Sequence, residues 1–230
     1  RSCPYFNVLC ALQHHSRWPI CPCLTHGCAF YAWRFAAVRK DAAGLGASDC
    51  AEPRPQSLTS GSKKLQRTSG NCALIAASLG HRVRACDGSA GMLAVARQAA
   101  EAAGLNVTFE QALIEDASFA ADTADIVTLR NVLWTLPEPI AALRKARAIL
   151  RPGGLVLVSD GLWSVAAQYR STYPETLAAS LPRHDGLTED DARAMLTEAG
   201  FGPARSWQHL FPASPYPGDV PMFVLTAKKG

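Results

Sequence analysis

The sequence lacks several features that define common protein classes. No apolar run reaches the roughly 18 residues that a membrane-spanning helix needs. No Gly-x-Ser-x-Gly turn is present, which excludes a hydrolase built on a nucleophile elbow. The amino end has no continuous apolar stretch followed by small residues, as a secretory signal would have. We therefore expect a cytoplasmic protein with no membrane partner.

A strong excess of one charge is also missing from most of the chain. Up to Gly70, nine basic residues stand against three acidic ones, whereas the remainder has 14 basic and 16 acidic residues. The basic excess lies in the first third, where it is scattered rather than clustered. Nucleic-acid-binding surfaces concentrate their Lys and Arg, so no nucleic-acid partner is expected.

Cysteine is almost absent beyond the first third, because seven of the eight cysteines lie at or before Cys72 and only Cys86 follows. Without a secretory signal, this distribution does not predict a disulfide framework. Four residues of the first third have side chains that can ligate zinc: Cys21, Cys23, His26 and Cys28. One residue between the first two cysteines is not a common zinc-finger spacing, and no second pair follows. No metal site is predicted.

The pattern of apolar residues divides the chain near residue 70. Residues 1–69 show no sustained period, apart from a short helical pattern at 30–38, and residues 43–69 are rich in Gly, Ser, Pro and Lys, as linkers are. We interpret residues 1–69 as an atypical region that is partly disordered or foreign to the rest of the chain. Residues 70–230 are predicted to form one domain.

Helical and strand patterns alternate after residue 70. Helices are predicted at 73–79, 92–103, 139–150 and 188–199, and strands at 81–85, 107–110, 125–129, 155–159, 204–210 and 222–227. This alternation predicts a doubly wound α/β fold, with a mostly parallel sheet, helices on both faces and an antiparallel closing strand. Such sheets bind ligands at the carboxyl ends of their strands.

An acidic residue, Asp87, follows the strand predicted at 81–85, and Gly88, Ser89 and Gly91 then lead into the next helix. A carboxylate at a strand end can accept hydrogen bonds from both vicinal hydroxyls of a ribose. Aspartate also commonly caps helices. The motif alone leaves both roles open.

Two later motifs add to this strand-end acid. The turn Arg151-Pro152-Gly153-Gly154 lies between a helix and a strand, and Leu133-Trp134-Thr135-Leu136-Pro137-Glu138-Pro139 follows a strand that ends near Arg130. In this order and spacing, residues 72–229 resemble the class I S-adenosylmethionine-dependent methyltransferases that act on small molecules. The resemblance implies S-adenosyl-L-methionine as cofactor, methyl transfer as the reaction and a small-molecule methyl acceptor as the partner.

The resemblance also assigns residues to the cofactor. Asp87 would hold the ribose hydroxyls, Met92 would pack on the adenine, and Arg130 and Asn131 would lie beside the methionine moiety. The full set is Gly70, Asp87, Gly88, Met92, Ile114, Glu115, Arg130 and Asn131. For Met92 a place in the core remains an alternative, and Glu115 is equally compatible with a solvated turn.

No catalytic base is assigned, because the sulfonium of the cofactor is already activated and the enzyme mainly aligns the reactants. His184 and His209 titrate in the right range for a base, although surface histidines without a role are more common. Trp134, Trp163 and Tyr169 indicate an apolar or aromatic acceptor, or else belong to the core. The acceptor site is expected between the amino-terminal region and residues 163–183.

The chain departs from the family pattern at two places. Leu113 stands where the loop after the third strand usually has an aspartate. The glycine-rich loop Asp-x-Gly-x-Gly-x-Gly is matched in register by Lys64-Leu65-Gln66-Arg67-Thr68-Ser69-Gly70, in which only Gly70 is retained. Glycine allows the backbone to approach a ligand closely. The altered loop supports an alternative: a catalytically inactive relative that keeps the fold and acts as a binding protein.

The altered loop generates a direct prediction. Replacing Lys64 by Asp, and Gln66 and Thr68 by Gly, should tighten the binding of S-adenosylhomocysteine about ten-fold, or by about 1.4 kcal/mol, because a carboxylate contact is restored and side chains are removed. Isothermal titration calorimetry measures the change. Unaltered affinity in a folded variant would mean that residues 64–70 do not form this loop.

Overall fold

The computed structural model describes residues 8–13, 71–165, 183, 185–211, 213–214 and 219–230. These residues form seven strands: β1 (Val8–Gln13), β2 (Arg82–Asp87), β3 (Val107–Gln111), β4 (Ala124–Arg130), β5 (Leu150–Gly161), β6 (Arg205–Ser206) and β7 (Met222–Lys228). They also form four α-helices: α1 (Asn71–Ser78), α2 (Ala90–Ala102), α3 (Pro139–Ile149) and α4 (Glu189–Glu198). Short 3₁₀ helices cover Leu133–Thr135, Trp163–Val165 and Gln208–Leu210.

The seven strands form one sheet in the order β3-β2-β1-β4-β5-β7-β6. Strands β2 and β3 pair in parallel, as do β4 and β5, whereas β7 is antiparallel to both of its neighbours. Strand β1 is antiparallel to both β2 and β4. Five of the seven strands, β2 to β6, therefore point in one direction. The mostly parallel α/β sheet with an antiparallel closing strand is confirmed.

Helices cover both faces of the sheet. Side chains alternate between the faces along a strand. Val83 and Ala85 pack with α1 in one apolar cluster, whereas the intervening positions of the sheet face a second one. That larger cluster contains Val127 and Leu129 of β4 together with residues of α3 and α4. The core therefore has two layers separated by the sheet, which confirms the doubly wound arrangement.

The ends of the helices follow local sequence signals. Gly80 and Gly104 adopt positive φ angles of 81° and 63° just after α1 and α2, a conformation that glycine adopts without strain. Thr188 caps α4 in a capping box, in which the Thr188 hydroxyl accepts from the Asp191 N–H and the Asp191 carboxylate accepts from the Thr188 N–H. The predicted boundaries at these positions agree with the structure.

The strand predicted at 204–210 is wrong beyond its first residues. Only Arg205–Ser206 pair with β7, and a 3₁₀ helix follows at Gln208–Leu210. The buried Trp207 ends the strand, because its indole N–H donates to Thr226 Oγ1 at 2.9 Å and its ring packs with Leu157 of β5. The apolar residues of this segment therefore cover the sheet instead of extending it.

No pattern in the sequence predicted strand β1. Residues 8–13 lie at the centre of the sheet, where Leu9 pairs with Cys86 on one side and with Leu129 on the other. The helix predicted at 30–38 and the register of Lys64 to Gly70 lie outside the described residues.

The carboxyl end of the chain is attached to the sheet by Lys229. Its amine donates to Leu150 O at 2.6 Å and forms an ion pair with Asp122 at 2.7 Å. The Lys229 side chain is only 13% exposed, whereas that of Asp122 is 59% exposed. The backbone carbonyl bond, rather than the solvated ion pair, should carry most of the stabilisation.

Lys229→Met should lower the free energy of unfolding by about 2 kcal/mol, because a charged donor to a carbonyl is lost and its alkyl stem is kept. Chemical denaturation measures the loss. Lys228→Met removes the same charge from the exposed neighbouring position and should change stability by less than about 0.5 kcal/mol. Equal effects in the two variants would contradict this role of the Lys229 amine.

Candidate active site at the carboxyl ends of the strands

The candidate site lies where the strand order reverses. From β2 the chain continues to β3 on one side of the sheet, whereas from β4 it continues to β5 on the other side. This reversal leaves a crevice between the carboxyl ends of β2 and β4. Three polar residues with buried side chains stand at or just beyond these ends: Asp87 after β2, Asn131 after β4 and Asp160 near the end of β5. Burial of polar groups at one edge of an otherwise apolar sheet marks this edge for ligand chemistry.

Asp87 is the last residue of β2 and is only 6% exposed. Its Oδ1 accepts a hydrogen bond from the Ser89 N–H at 2.8 Å, and the Ser89 hydroxyl in turn accepts from the Met92 N–H at 3.3 Å. Ser89, not Asp87, is therefore the N-cap of α2. The carboxylate of Asp87 is fixed at the strand end by the turn, and the helix-cap role considered for it is wrong.

An apolar surface adjoins Asp87. A Cβ at Gly88 would lie 3.0 Å from Leu113 Cδ2, so the Leu113 side chain lies directly against this glycine. Leu113 is 59% exposed and is one of two exposed large apolar side chains in the described part of the chain. The loop that carries it is held to β2 by the Ala112 N–H, which donates to Asp87 O at 3.3 Å. A carboxylate and an exposed apolar side chain thus lie side by side.

The other residues predicted after β2 and β3 differ in accessibility. Met92 lies half-buried in the first turn of α2 and is not part of the buried core. The Ile114 side chain is 6% exposed and packs in the larger core, so it has little surface to offer a ligand. Glu115 is exposed.

Arg130 and Asn131 stand at the end of β4. Asn131 is buried and has a positive φ of 53°, a conformation that asparagine adopts more readily than most residues but that still costs energy. Its N–H donates to Ser159 O at 2.8 Å, which extends the parallel ladder by one residue. The Arg130 side chain is half-buried. The tight turn directs the chain from β4 into the 3₁₀ helix that contains Trp134.

Asp160, which the sequence analysis missed, lies one strand further along this edge and is 1% exposed. Its Oδ1 accepts from the Gly161 N–H at 2.9 Å and from the Trp163 indole N–H at 3.1 Å. Burial raises the pKa of Asp160 to about 7, against hydrogen bonds from Gly161, Trp163 and the Trp134 backbone and the charge of Arg130, which lower it. A strand that ends in Ser-Asp-Gly repeats the pattern of β2 and was the available signal.

Other predicted residues lie elsewhere. His209 follows the outermost strand β6, and its ring centroid lies 6.0 Å from that of Trp207. Strands β5 and β7 separate β6 from β4, so His209 lies away from the crevice between β2 and β4. Six of these residues lie outside the described part of the chain: Gly70, His184 and the four zinc candidates Cys21, Cys23, His26 and Cys28. Within the described part of the chain, no group of three or more His, Cys, Asp or Glu side chains is placed to hold a metal ion.

Comparison with known proteins agrees with this geometry. Residues 66–158 match the family described as a methyltransferase domain. The similarity to methyltransferases therefore covers α1 to the middle of β5. A protein of Bacillus halodurans with a methyltransferase assignment shares the fold, with a TM-score of 0.51 and 22% identity over 70% of this chain and 88% of that protein.

Two curated relatives carry different methyltransferase names. The chain is 31% identical over 137 residues to the ubiquinone biosynthesis O-methyltransferase of Ruegeria pomeroyi, which covers 55% of this chain and 54% of the relative. It is 36% identical over 90 residues to the tRNA 5-carboxymethoxyuridine methyltransferase of Escherichia coli, covering 38% of this chain and 34% of the relative. The chain thus spans about half, or less, of the length of these relatives.

S-adenosyl-L-methionine, the cofactor that the match to a methyltransferase domain implies, is compatible with the described residues. Asp87 places a buried carboxylate, an acceptor of the kind that ribose hydroxyls need, at the end of β2, and a Cβ at Gly88 would lie 3.0 Å from Leu113 Cδ2. The exposed Leu113 side chain is an apolar surface of the kind that an adenine ring packs against. Among the described residues, no helix is long and apolar enough to cross a membrane.

The raised pKa of Asp160 predicts an unusual pH dependence of stability. Because the carboxyl binds its proton more tightly in the folded protein than at its ordinary value of 3.8, its contribution to the unfolding free energy falls as pH rises from about 4 to about 7. Over this range the loss is on the order of 4 kcal/mol. Asp160→Asn should flatten this slope and be more stable than the wild type at pH 8, as denaturation at several pH values will measure.

The matched control is Asp219→Asn, which removes one exposed carboxylate at a position with a φ of 48° that asparagine tolerates. This variant should keep the wild-type slope. If Asp160→Asn also keeps it, the carboxyl of Asp160 does not titrate in this range.

Proposed function

We propose that the protein transfers a methyl group from S-adenosylmethionine to a small-molecule acceptor. The observation that carries this proposal is the pairing of the buried Asp87 carboxylate with the exposed Leu113 side chain across Gly88, at the switch point of the sheet. A ribose with an attached adenine needs one polar and one apolar partner side by side.

In this proposal Asp87 accepts hydrogen bonds from the two ribose hydroxyls, and its bond from Ser89 keeps the carboxylate oriented. Leu113 and the half-buried Met92 contact the adenine, so apolar contact replaces the hydrogen bond that the family's usual aspartate would accept. Arg130 and Asn131, at the end of β4, hold the methionine moiety. Gly70 completes the set, and Ile114 and Glu115 contribute through their backbone at the adenine edge.

When bound, the cofactor supplies a sulfonium methyl that is already activated for in-line transfer. The residues of the chain then need to align the acceptor and exclude water. Trp134 follows β4 and Trp163 follows β5. Both side chains are buried at this edge and form an apolar surface that excludes water. No general base is assigned: a hydroxyl acceptor loses its proton to water as its oxygen takes the methyl group, and His209 lies on the outermost strand, away from the site.

We infer an acceptor of low molecular mass, with an oxygen nucleophile on an apolar ring, acting in the cytoplasm. The similarity to a ubiquinone biosynthesis O-methyltransferase favours this class. A nucleic-acid acceptor, as in the tRNA methyltransferase, is disfavoured by the balance of 14 basic and 16 acidic residues beyond Gly70. The altered residues Lys64 to Ser69 favour the second candidate, an inactive binding protein.

Calorimetry with S-adenosylhomocysteine separates these candidates. We expect saturable binding at micromolar concentration, and Asp87→Ala should weaken it by about 2 kcal/mol through loss of charge-assisted hydrogen bonds. Ser89→Ala is the matched control, because it removes the cap of α2, costing about 1 kcal/mol of stability, and should leave affinity nearly unchanged. Absence of binding up to millimolar concentration would favour the inactive binding protein.

A further inference from the structure

We propose that Asp160 is a positioning residue for the acceptor side of the site: its buried carboxylate fixes the indole of Trp163, and with it the start of the segment that leaves β5. This inference rests on the proposed function only in calling that side the acceptor side. Asp160 lies one strand away from β4, while the residues assigned to the cofactor follow β2, β3 and β4. The carboxylate therefore acts beside the cofactor and not on it.

The hydrogen bonds of Asp160 connect the strand to the segment beyond it. One oxygen, Oδ1, accepts from the Gly161 N–H inside β5 and from the Trp163 indole N–H two residues further on. On its other side the Trp163 ring faces Trp134, with centroids 6.2 Å apart and planes inclined by 44°. The indole, 2% exposed, is thus held between a carboxylate and an aromatic ring that follow neighbouring strands.

Packing alone does not explain a carboxylate at this position. Asp160 Oδ2 is buried and receives no hydrogen bond of good geometry from the described residues, and the nearby Trp134 backbone compensates its charge only in part, since burial still raises the pKa of this carboxyl to about 7. An uncompensated buried carboxylate oxygen destabilises a fold, whereas asparagine would offer Trp163 the same carbonyl acceptor at lower cost. The negative charge is therefore the property to explain. A charged acceptor holds an indole N–H more strongly than a neutral one.

The strength of this hold depends on the proton of Asp160. The carboxylate form of Asp160 accepts a strong hydrogen bond from the Trp163 indole N–H, whereas the protonated form accepts a weaker one. Arg130 on β4 is the charged group that acts on Asp160 from the neighbouring strand, and the exposed Asp185 follows in the turn whose carbonyl accepts from the Ser164 N–H. Arg130 favours the carboxylate, and Asp185 contributes a like charge in solvent. Because the indole hydrogen bond lowers the pKa of Asp160, the 3₁₀ helix at Trp163–Val165 should be held more firmly by the carboxylate form than by the protonated form.

Two measurements on the full chain test the proposal without a known acceptor. The first records the indole N–H resonances of ¹⁵N-tryptophan-labelled protein between pH 5.5 and 8.5, with Trp163→Phe to assign the Trp163 signal. The second follows amide hydrogen exchange, corrected for the intrinsic effect of pH, in peptides that end at Trp163–Val165 and, as an internal reference, in α2. Each is performed on the wild type, Asp160→Asn and Asp160→Ala.

We expect the wild-type Trp163 resonance to move with a single transition near neutral pH, and exchange at Trp163–Val165 to slow several-fold above it. Asp160→Asn should abolish both pH dependences while keeping an intermediate, constant protection of Trp163–Val165. Asp160→Ala should raise exchange at Trp163–Val165 about ten-fold without affecting α2. Because Asn conserves the shape, its result stands even if the Ala variant fails to fold.

Three outcomes would overturn the proposal: a Trp163 resonance that does not respond to pH, a transition that persists in Asp160→Asn, or loss of protection that spreads equally to α2. S-adenosylhomocysteine affinity, measured on the same variants, should stay within two-fold of the wild type. A larger loss would place Asp160 in the cofactor site instead. If the wild type binds no S-adenosylhomocysteine but Trp163 still titrates, the proposed function fails while the positioning role of Asp160 is retained.

Discussion

Burial of the sheet on both faces is the constraint on which the rest of this structure depends. Strands covered on both sides must be apolar along their length, and the interior positions of β4 and β5, such as Val127, Leu129 and Val158, are fully buried and apolar. Within β4 and β5 the charged residues Asp125, Arg130, Arg151 and Asp160 accordingly lie near the strand ends. Asp87 and Asp160 occupy such ends, and the chemistry of the domain is confined to a single edge by the requirement that its centre stays dry.

The parts of the fold that could be predicted are those set by short-range signals. The ends of α1 and α2 follow from Gly80 and Gly104, and the start of α4 follows from the hydroxyl of Thr188, because these effects act within one turn of helix. Strand β1 could not be predicted, since its pairing with residues at least 69 positions away leaves no periodic pattern in six residues. Trp207 was misassigned because a partner on β7, rather than local propensity, determines its conformation.

The site shows the same division. The position of Asp87 at a strand end was evident from the sequence, but its separation from the helix cap depends on the hydroxyl of Ser89, which only the geometry identifies. Ile114 illustrates the opposite case, because its place in the loop was correct while its side chain turns into the core. An acidic residue at a strand end can be predicted from the sequence, whereas the direction of each loop side chain depends on how the core packs around it.

The antiparallel strand β1 has a consequence for how this domain folds. Among the described residues it is the strand that joins the β2–β3 pair to the β4–β5–β7–β6 group, and without it the sheet would be two sheets. Leu9 pairs with Cys86 and Leu129, which are distant in the sequence. Formation of the central part of the sheet therefore requires closure of long loops, which is entropically costly and slow. During synthesis β1 leaves the ribosome first yet gains both partners only after Arg130 has emerged. Until then its unpaired edge is exposed to association with other chains, so the most central strand is also the one that most needs protection before folding is complete.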